Sequence, residues 1–226
     1  MSHSNQPLNV DRHGKQAARH SAAATRLALP GDTAARPANA IERLRAALDA
    51  ALDLCRDTAD LARDARFARA VRTALVEAAA DPHLLTPAQR EGAAEKYQRH
   101  LLAADPLGRY AIASLVWMPG QTSPVHAHHT WCGYVVLDGT LSEALYDWNE
   151  EEDYAIPVRT QARDRGAVSY ARAGRSAIHR LGNASGAPAI SVHVYGVPEA
   201  EFATRVNDVV RSVAHTPESM QPAMRA

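Results

Sequence analysis

Two histidines one residue apart, His126 and His128, carry the strongest chemical signal in the chain. They lie in the segment Gly120-QTSPV-His126-Ala-His128-His129-Thr-Trp-Cys132. On an extended strand, residues i and i+2 point to one side, so both imidazoles can serve one interior site while His129 faces away. Imidazole is a good ligand for iron, copper, nickel or zinc, and these two residues do not choose among them. A third ligand must come from elsewhere. His179, in Ala177-Ile-His179-Arg-Leu-Gly-Asn183, is the best candidate because it sits where a β-run meets a glycine-containing turn. A His-x-His pair alone fits a surface strand equally well. Gly120 before the pair, Gly139 after Cys132 and the later isolated histidine turn the reading toward a metal site.

A second polar row is Ser191-Val-His193-Val-Tyr195, whose alternate residues share one strand face. Hydroxyl, imidazole and phenol can donate and accept in series, so the row allows a hydrogen-bond relay. Arg99, in Tyr97-Gln-Arg99-His-Leu, carries a guanidinium suited to a bidentate contact with a carboxylate. Taken alone it is one arginine on a solvated face. Cys132, on a strand, reads by itself as a small apolar core residue. Cys55 falls on an apolar helix face, and Trp131 and Met118 are candidates to line a pocket.

The elements that must position these residues divide the chain in two. From Ala40, apolar residues Ile41, Leu44, Leu48, Ala51, Leu52 and Cys55 recur at helical spacing, with Asn39 or Asp32 available as a cap. A second helical stretch runs from about Ala59 to Ala80, and a short third follows Thr86-Pro87. After Tyr97 the texture becomes β-rich. Segments 109–117, 133–139, 141–148, 167–171 and 189–197 are short and separated by Gly, Pro or Asp turns. The expected fold is α+β: N-terminal helices (37–94) packed against a small β-barrel or sandwich (95–214). Residues 1–36 and 215–226 read as polar tails.

Composition excludes several function classes. Lys+Arg and Asp+Glu both number 25, leaving no net charge and no general field to draw nucleic acid or an anionic membrane. No apolar run is long enough to span a bilayer, and the first residues lack the apolar segment of a secretory signal. Two cysteines are too few for a disulfide scaffold, so a reduced, cytoplasmic setting is expected.

From about Tyr97 to Pro198 the chain resembles the cysteine dioxygenase family of cupin thiol dioxygenases. Gly120, His126, His128 and Gly139 match the first cupin motif, G-x5-H-x-H-x3,4-E-x6-G, with Cys132 in the glutamate position. Gly166, Gly174, His179 and Asn183 align more loosely with the second motif; Arg172 replaces its proline and two extra residues precede the histidine. The resemblance implies a cupin fold and Fe(2+) held by His126, His128 and His179. It implies that Ser191, His193 and Tyr195 form the outer-shell triad and that Tyr97 and Arg99 contact the substrate. It also implies a Cys132–Tyr195 thioether, which some relatives lack. The implied activity is oxidation of a small carboxylated thiol by O2 to a sulfinic acid, with L-cysteine the first candidate. Arg99 favours this, since relatives acting on 3-mercaptopropionate resemble a pattern without it. Alternatives are dioxygenation of 3-mercaptopropionate or mercaptosuccinate, another cupin enzyme, or a non-enzymatic cupin that binds a small ligand. The expected partners are the thiol and O2 alone, in a monomer or weak homo-oligomer.

Overall fold

The computed structural model describes residues 39–213; the two tails expected at 1–36 and 215–226 lie outside the described residues. Two helices come first, α1 (Ala40–Leu54) and α2 (Ala65–Ala79). Asn39 caps α1 in a reciprocal box: its side chain accepts from the Glu42 amide, and the Glu42 carboxylate accepts from the Asn39 amide. The second helix starts later than its apolar pattern suggests. Asp64 accepts from the Arg66 amide at 2.8 Å and sets the start at Ala65, leaving Leu61–Arg63 as a 3-10 turn. The stretch after Thr86-Pro87 is likewise one 3-10 turn, Ala88–Arg90.

Ten strands follow: β1 (Gln98–Ala104), β2 (Ala111–Trp117), β3 (His126–His128), β4 (Cys132–Asp138), β5 (Thr140–Asn149), β6 (Tyr154–Asp164), β7 (Val168–Ala171), β8 (Gly174–Gly182), β9 (Ala189–Tyr195) and β10 (Asn207–Val209). They form two antiparallel five-stranded sheets, ordered β1-β2-β9-β4-β7 and β10-β3-β8-β5-β6. This is the α+β cupin architecture, in two sheets rather than one closed barrel. Consecutive strands β4 and β5 belong to different sheets, and the corner between them is Gly139, at φ 68°. A side chain there would meet the Pro188 carbonyl at 2.8 Å, so only glycine fits.

The first sheet is buried on both faces, which is why β2 and β9 are buried throughout and read as continuous apolar runs. One face packs Ile112, Val116, Val135, Val192 and Val194 against Leu44, Leu48, Phe67, Val71 and Leu75 of the helices. Gly133 allows this approach, since a Cβ would lie 2.8 Å from Val71. Trp131 belongs to this helix-side core, edge-on to Phe67 with ring centroids 5.0 Å apart, rather than to a pocket. The opposite face carries Ala113, Leu115, Trp117, Tyr134 and Val136, which meet Leu141 and Leu181 of the second sheet. Between these sheets lies the site. Among the described residues no helix is long and apolar enough to cross a membrane.

Candidate metal centre

The second sheet supplies the three histidines. His126 on β3 is the direct cross-strand partner of His179 on β8, with ring centroids 4.7 Å apart. His128 follows two residues later and points to the same side, 5.0 and 5.1 Å from the other two rings. His129 is exposed, as the alternation requires. His128 pairs with Gly174, so two steps along β3 span five along β8. That irregularity absorbs the two extra residues before His179, and the histidine reaches its position despite the loose motif.

One ligand atom from each histidine falls within 4.8 Å of the others, and all three residues are buried. His126 Nδ1 lies 2.9 Å from the Pro124 carbonyl and His179 Nδ1 lies 2.9 Å from Glu143 Oε1, which leaves each Nε2 for another purpose. His179 Nε2 and His128 Nδ1 are buried with no hydrogen-bond partner among the described residues. An orphaned buried polar atom costs about 1–3 kcal/mol. A metal ion relieves that cost at His179. Burial, with the neighbouring His179, holds His126 down to about 3 and His128 well below the usual imidazole range, so both are neutral and able to ligate. The residues present therefore fit a metal ion.

The first sheet supplies the polar row. Trp117 Nε1 donates to Ser191 Oγ at 3.0 Å, Ser191 Oγ lies 2.9 Å from His193 Nε2, and His193 Nδ1 lies 3.2 Å from the Tyr195 hydroxyl. An indole can only donate, so Ser191 accepts from Trp117; the buried Ser191 proton has no acceptor among the described residues other than His193 Nε2, and is donated there. Burial keeps His193 neutral, with its pKa pushed down to about 3, so its single proton sits on Nδ1 and is donated to the Tyr195 oxygen. The Tyr195 proton is then free to point into the cavity. Burial, with Cys132 beside it, raises Tyr195 well above its usual value, so the phenol keeps that proton.

Both sheets face one small cavity, lined by the three histidines, His193 and Tyr195 together with Tyr97, Leu115, Trp117, Leu181, Ser123 and Asn207. Tyr97 stacks on Trp117 with centroids 4.3 Å apart. Arg99 is the cross-strand partner of Leu115 and shares its cavity-side face. Its guanidinium stands 5.5 Å from the Phe202 ring centroid, and among the described residues it makes no ion pair or side-chain hydrogen bond. Cys132 is buried and directly opposite Tyr195 in the β4–β9 register. Burial pushes its thiol pKa up.

Every candidate site residue thus lies at or beside one cavity, whereas Trp131 and Met118 do not line it. Met118 packs against Gly92 instead. Sequence reasoning missed Trp117, Phe202, Asn207 and Glu143. For Glu143 there was a signal: in Leu141-Ser-Glu143 an acid shares the inward strand row with a buried leucine. Burial raises the Glu143 carboxyl, but its hydrogen bonds from His179 and Gln161 and the Arg163 charge outweigh this and hold it at about 2.

Comparison with known proteins agrees with this geometry. The family model for cysteine dioxygenase type I matches residues 91–205, from before β1 to just short of β10. Cysteine dioxygenase type 1 from Rattus norvegicus and from Mus musculus are each 28% identical over 93 residues, 40% of this chain and 46% of theirs. The chain therefore spans about half the length of these curated relatives. A crystal structure of a Thermus thermophilus protein is 22% identical, covering 50% of this chain and 96% of that one at a TM-score of 0.39. A Klebsiella pneumoniae protein with a double-stranded β-helix domain is 17% identical, covering 53% and 94%, also at 0.39. These two likenesses are too loose to add to the family match, which with the two sheets and their three-histidine cluster makes the chain a member of the cysteine dioxygenase type I family.

Proposed function

We propose that this protein is a non-haem iron thiol dioxygenase that converts a small carboxylated thiol, with L-cysteine the first candidate, to its sulfinic acid. One observation carries the reading: a three-histidine cluster on one sheet and a Ser–His–Tyr relay on the other meet across a single small cavity. The lining combines the metal-ligating imidazoles and the Tyr195 hydroxyl with the apolar walls of Leu115, Leu181 and Trp117.

His126, His128 and His179 would hold Fe(II), which when bound supplies open positions where thiolate and O2 meet. Arg99 binds the substrate carboxylate through its paired N–H groups, and the Phe202 face steadies the guanidinium. Tyr97 packs beside it on Trp117. Tyr195 presents its hydroxyl proton to the cavity, with His193 and Ser191 fixing that direction. Leu115, Leu181 and Trp117 wall off bulk water. In the balanced reaction both atoms of O2 go to sulfur, which loses four electrons as O2 gains four. The register of Cys132 against Tyr195 supports a thioether, in which a sulfur–ring-carbon bond forms as two hydrogens are lost to O2.

A second reading, dioxygenation of 3-mercaptopropionate or mercaptosuccinate, is favoured by the absence of any carboxylate among the lining residues to meet a substrate ammonium. Oxygen uptake by the Fe(II)-loaded protein with cysteine, 3-mercaptopropionate, mercaptosuccinate and cysteamine separates the readings. Stimulation by none of them rules out a thiol dioxygenase. Intact mass after turnover tests the thioether: an unchanged mass with Cys132 fully alkylatable counts against it.

A further inference from the structure

A carboxylate between packed sheets is costly unless engaged, and Glu143 on β5 is only 3% exposed. In the β5–β8 register Glu143 faces Leu181 while Leu145 faces His179, so Glu143 and His179 are diagonal neighbours on one face. Glu143 Oε1 meets His179 Nδ1 at 2.9 Å, and Oε2 accepts from Gln161 Nε2 at 2.8 Å. Gln161 is the direct cross-strand partner of Glu143 on β6. Arg163 Nε stands 3.5 Å from Oε2, an ion-pair separation rather than a hydrogen bond, while its terminal nitrogen donates to the Val168 carbonyl at 2.8 Å.

The three histidines therefore stand on unequal supports. His126 Nδ1 leans on a neutral carbonyl, His128 Nδ1 has no partner among the described residues, and His179 Nδ1 alone faces a carboxylate. We infer that Glu143 is the positioning residue of the metal centre. It holds the His179 Nδ1 proton, turns Nε2 toward the other two imidazoles, and makes His179 the strongest donor of the three through its charge. The site is then a set of three imidazoles with one anion behind it, itself anchored from β6. This inference rests on the metal-centre reading above.

Metal binding by the full-length chain tests it, with Co(II) as a visible-absorbing probe and anaerobic Fe(II) titration alongside. Outer carboxylate partners of metal-bound histidine are worth roughly 10–100-fold in affinity. Glu143→Gln keeps an acceptor for Nδ1 but removes the charge, and is expected to weaken binding about 10-fold; Glu143→Leu removes both, about 100-fold. Gln161→Leu loosens Glu143 from behind without touching His179, and covers the case in which Glu143→Leu does not fold. A smaller loss of affinity is expected there, with a shifted Co(II) spectrum. Affinities and spectra equal to wild type in Glu143→Gln and Gln161→Leu overturn the role of Glu143. So does a fall in melting temperature that is the same with and without metal, because that marks a purely structural residue. A wild-type protein that binds neither ion sinks the metal-centre reading itself.

Discussion

Replacing Ser191 by alanine probes the relay at its most constrained atom. The Ser191 side chain is fully buried, and its oxygen is engaged on two sides, by Trp117 Nε1 at 3.0 Å and His193 Nε2 at 2.9 Å. Removing it strands two nitrogens where water cannot reach. Each orphaned group costs about 1–3 kcal/mol, and partial relaxation of the rings brings the expected total to about 2–4 kcal/mol. Urea unfolding reads this directly: with a slope of about 2–3 kcal/mol/M for a chain of this size, the midpoint falls by about 1 M at unchanged slope. The second consequence is catalytic. Without the Ser191 proton on Nε2, His193 is free to carry its hydrogen there and accept at Nδ1 from Tyr195, turning the phenol proton away from the cavity. The turnover number kcat is then expected to fall with little change in KM, and Ser191→Thr, which restores the hydroxyl, to recover it. Trp117→Phe removes one partner of the same oxygen, so its effect and that of Ser191→Ala should be non-additive by about 1 kcal/mol. A stability loss below about 1 kcal/mol together with an unchanged kcat would refute the assigned direction of the relay.

Two further outcomes follow from the same geometry. Arg99→Ala should raise KM for carboxylated thiols about 10–100-fold, the equivalent of a charge-assisted bond of about 1.5–3 kcal/mol, and leave cysteamine kinetics unaltered; equal effects on both substrates remove its role. The second concerns acid stability. His193 is neutral when folded, with a pKa near 3 because of burial, helped by the nearby Arg99 charge, against about 6.5 unfolded. The unfolded chain therefore binds more protons between those values, and stability is present above pH 6.5 and lost as pH falls toward 3. From this group alone the loss reaches about 2 kcal/mol at pH 5, and His193→Gln should flatten that decline in urea midpoints; an unchanged slope contradicts it.

Much of the site is legible locally because strand alternation has a period of two. His126 with His128, and Ser191 with His193 and Tyr195, are same-face sets within single strands, and each is found facing the cavity. The first helix is equally legible, since its cap and its apolar spacing both lie within a few residues. What could not be read was anything set by pairing between strands. Arg99 looks like one arginine on a wet face until the β1–β2 register puts it beside Leu115 on the cavity side. Glu143 and Trp117 matter only because residues 36 and 74 positions away, His179 and Ser191, come to lie against them.

By itself, then, the sequence determined the chemistry on offer: three imidazoles, a hydroxyl–imidazole–phenol row, a guanidinium and a strand cysteine. Only the tertiary structure decided how that chemistry is divided. The three imidazoles stand on one sheet, and the hydroxyl–imidazole–phenol row and the guanidinium on the other. The physical reason is that a strand fixes the face its own side chains take, whereas which faces meet is decided by sheet order and register, through contacts remote in the chain.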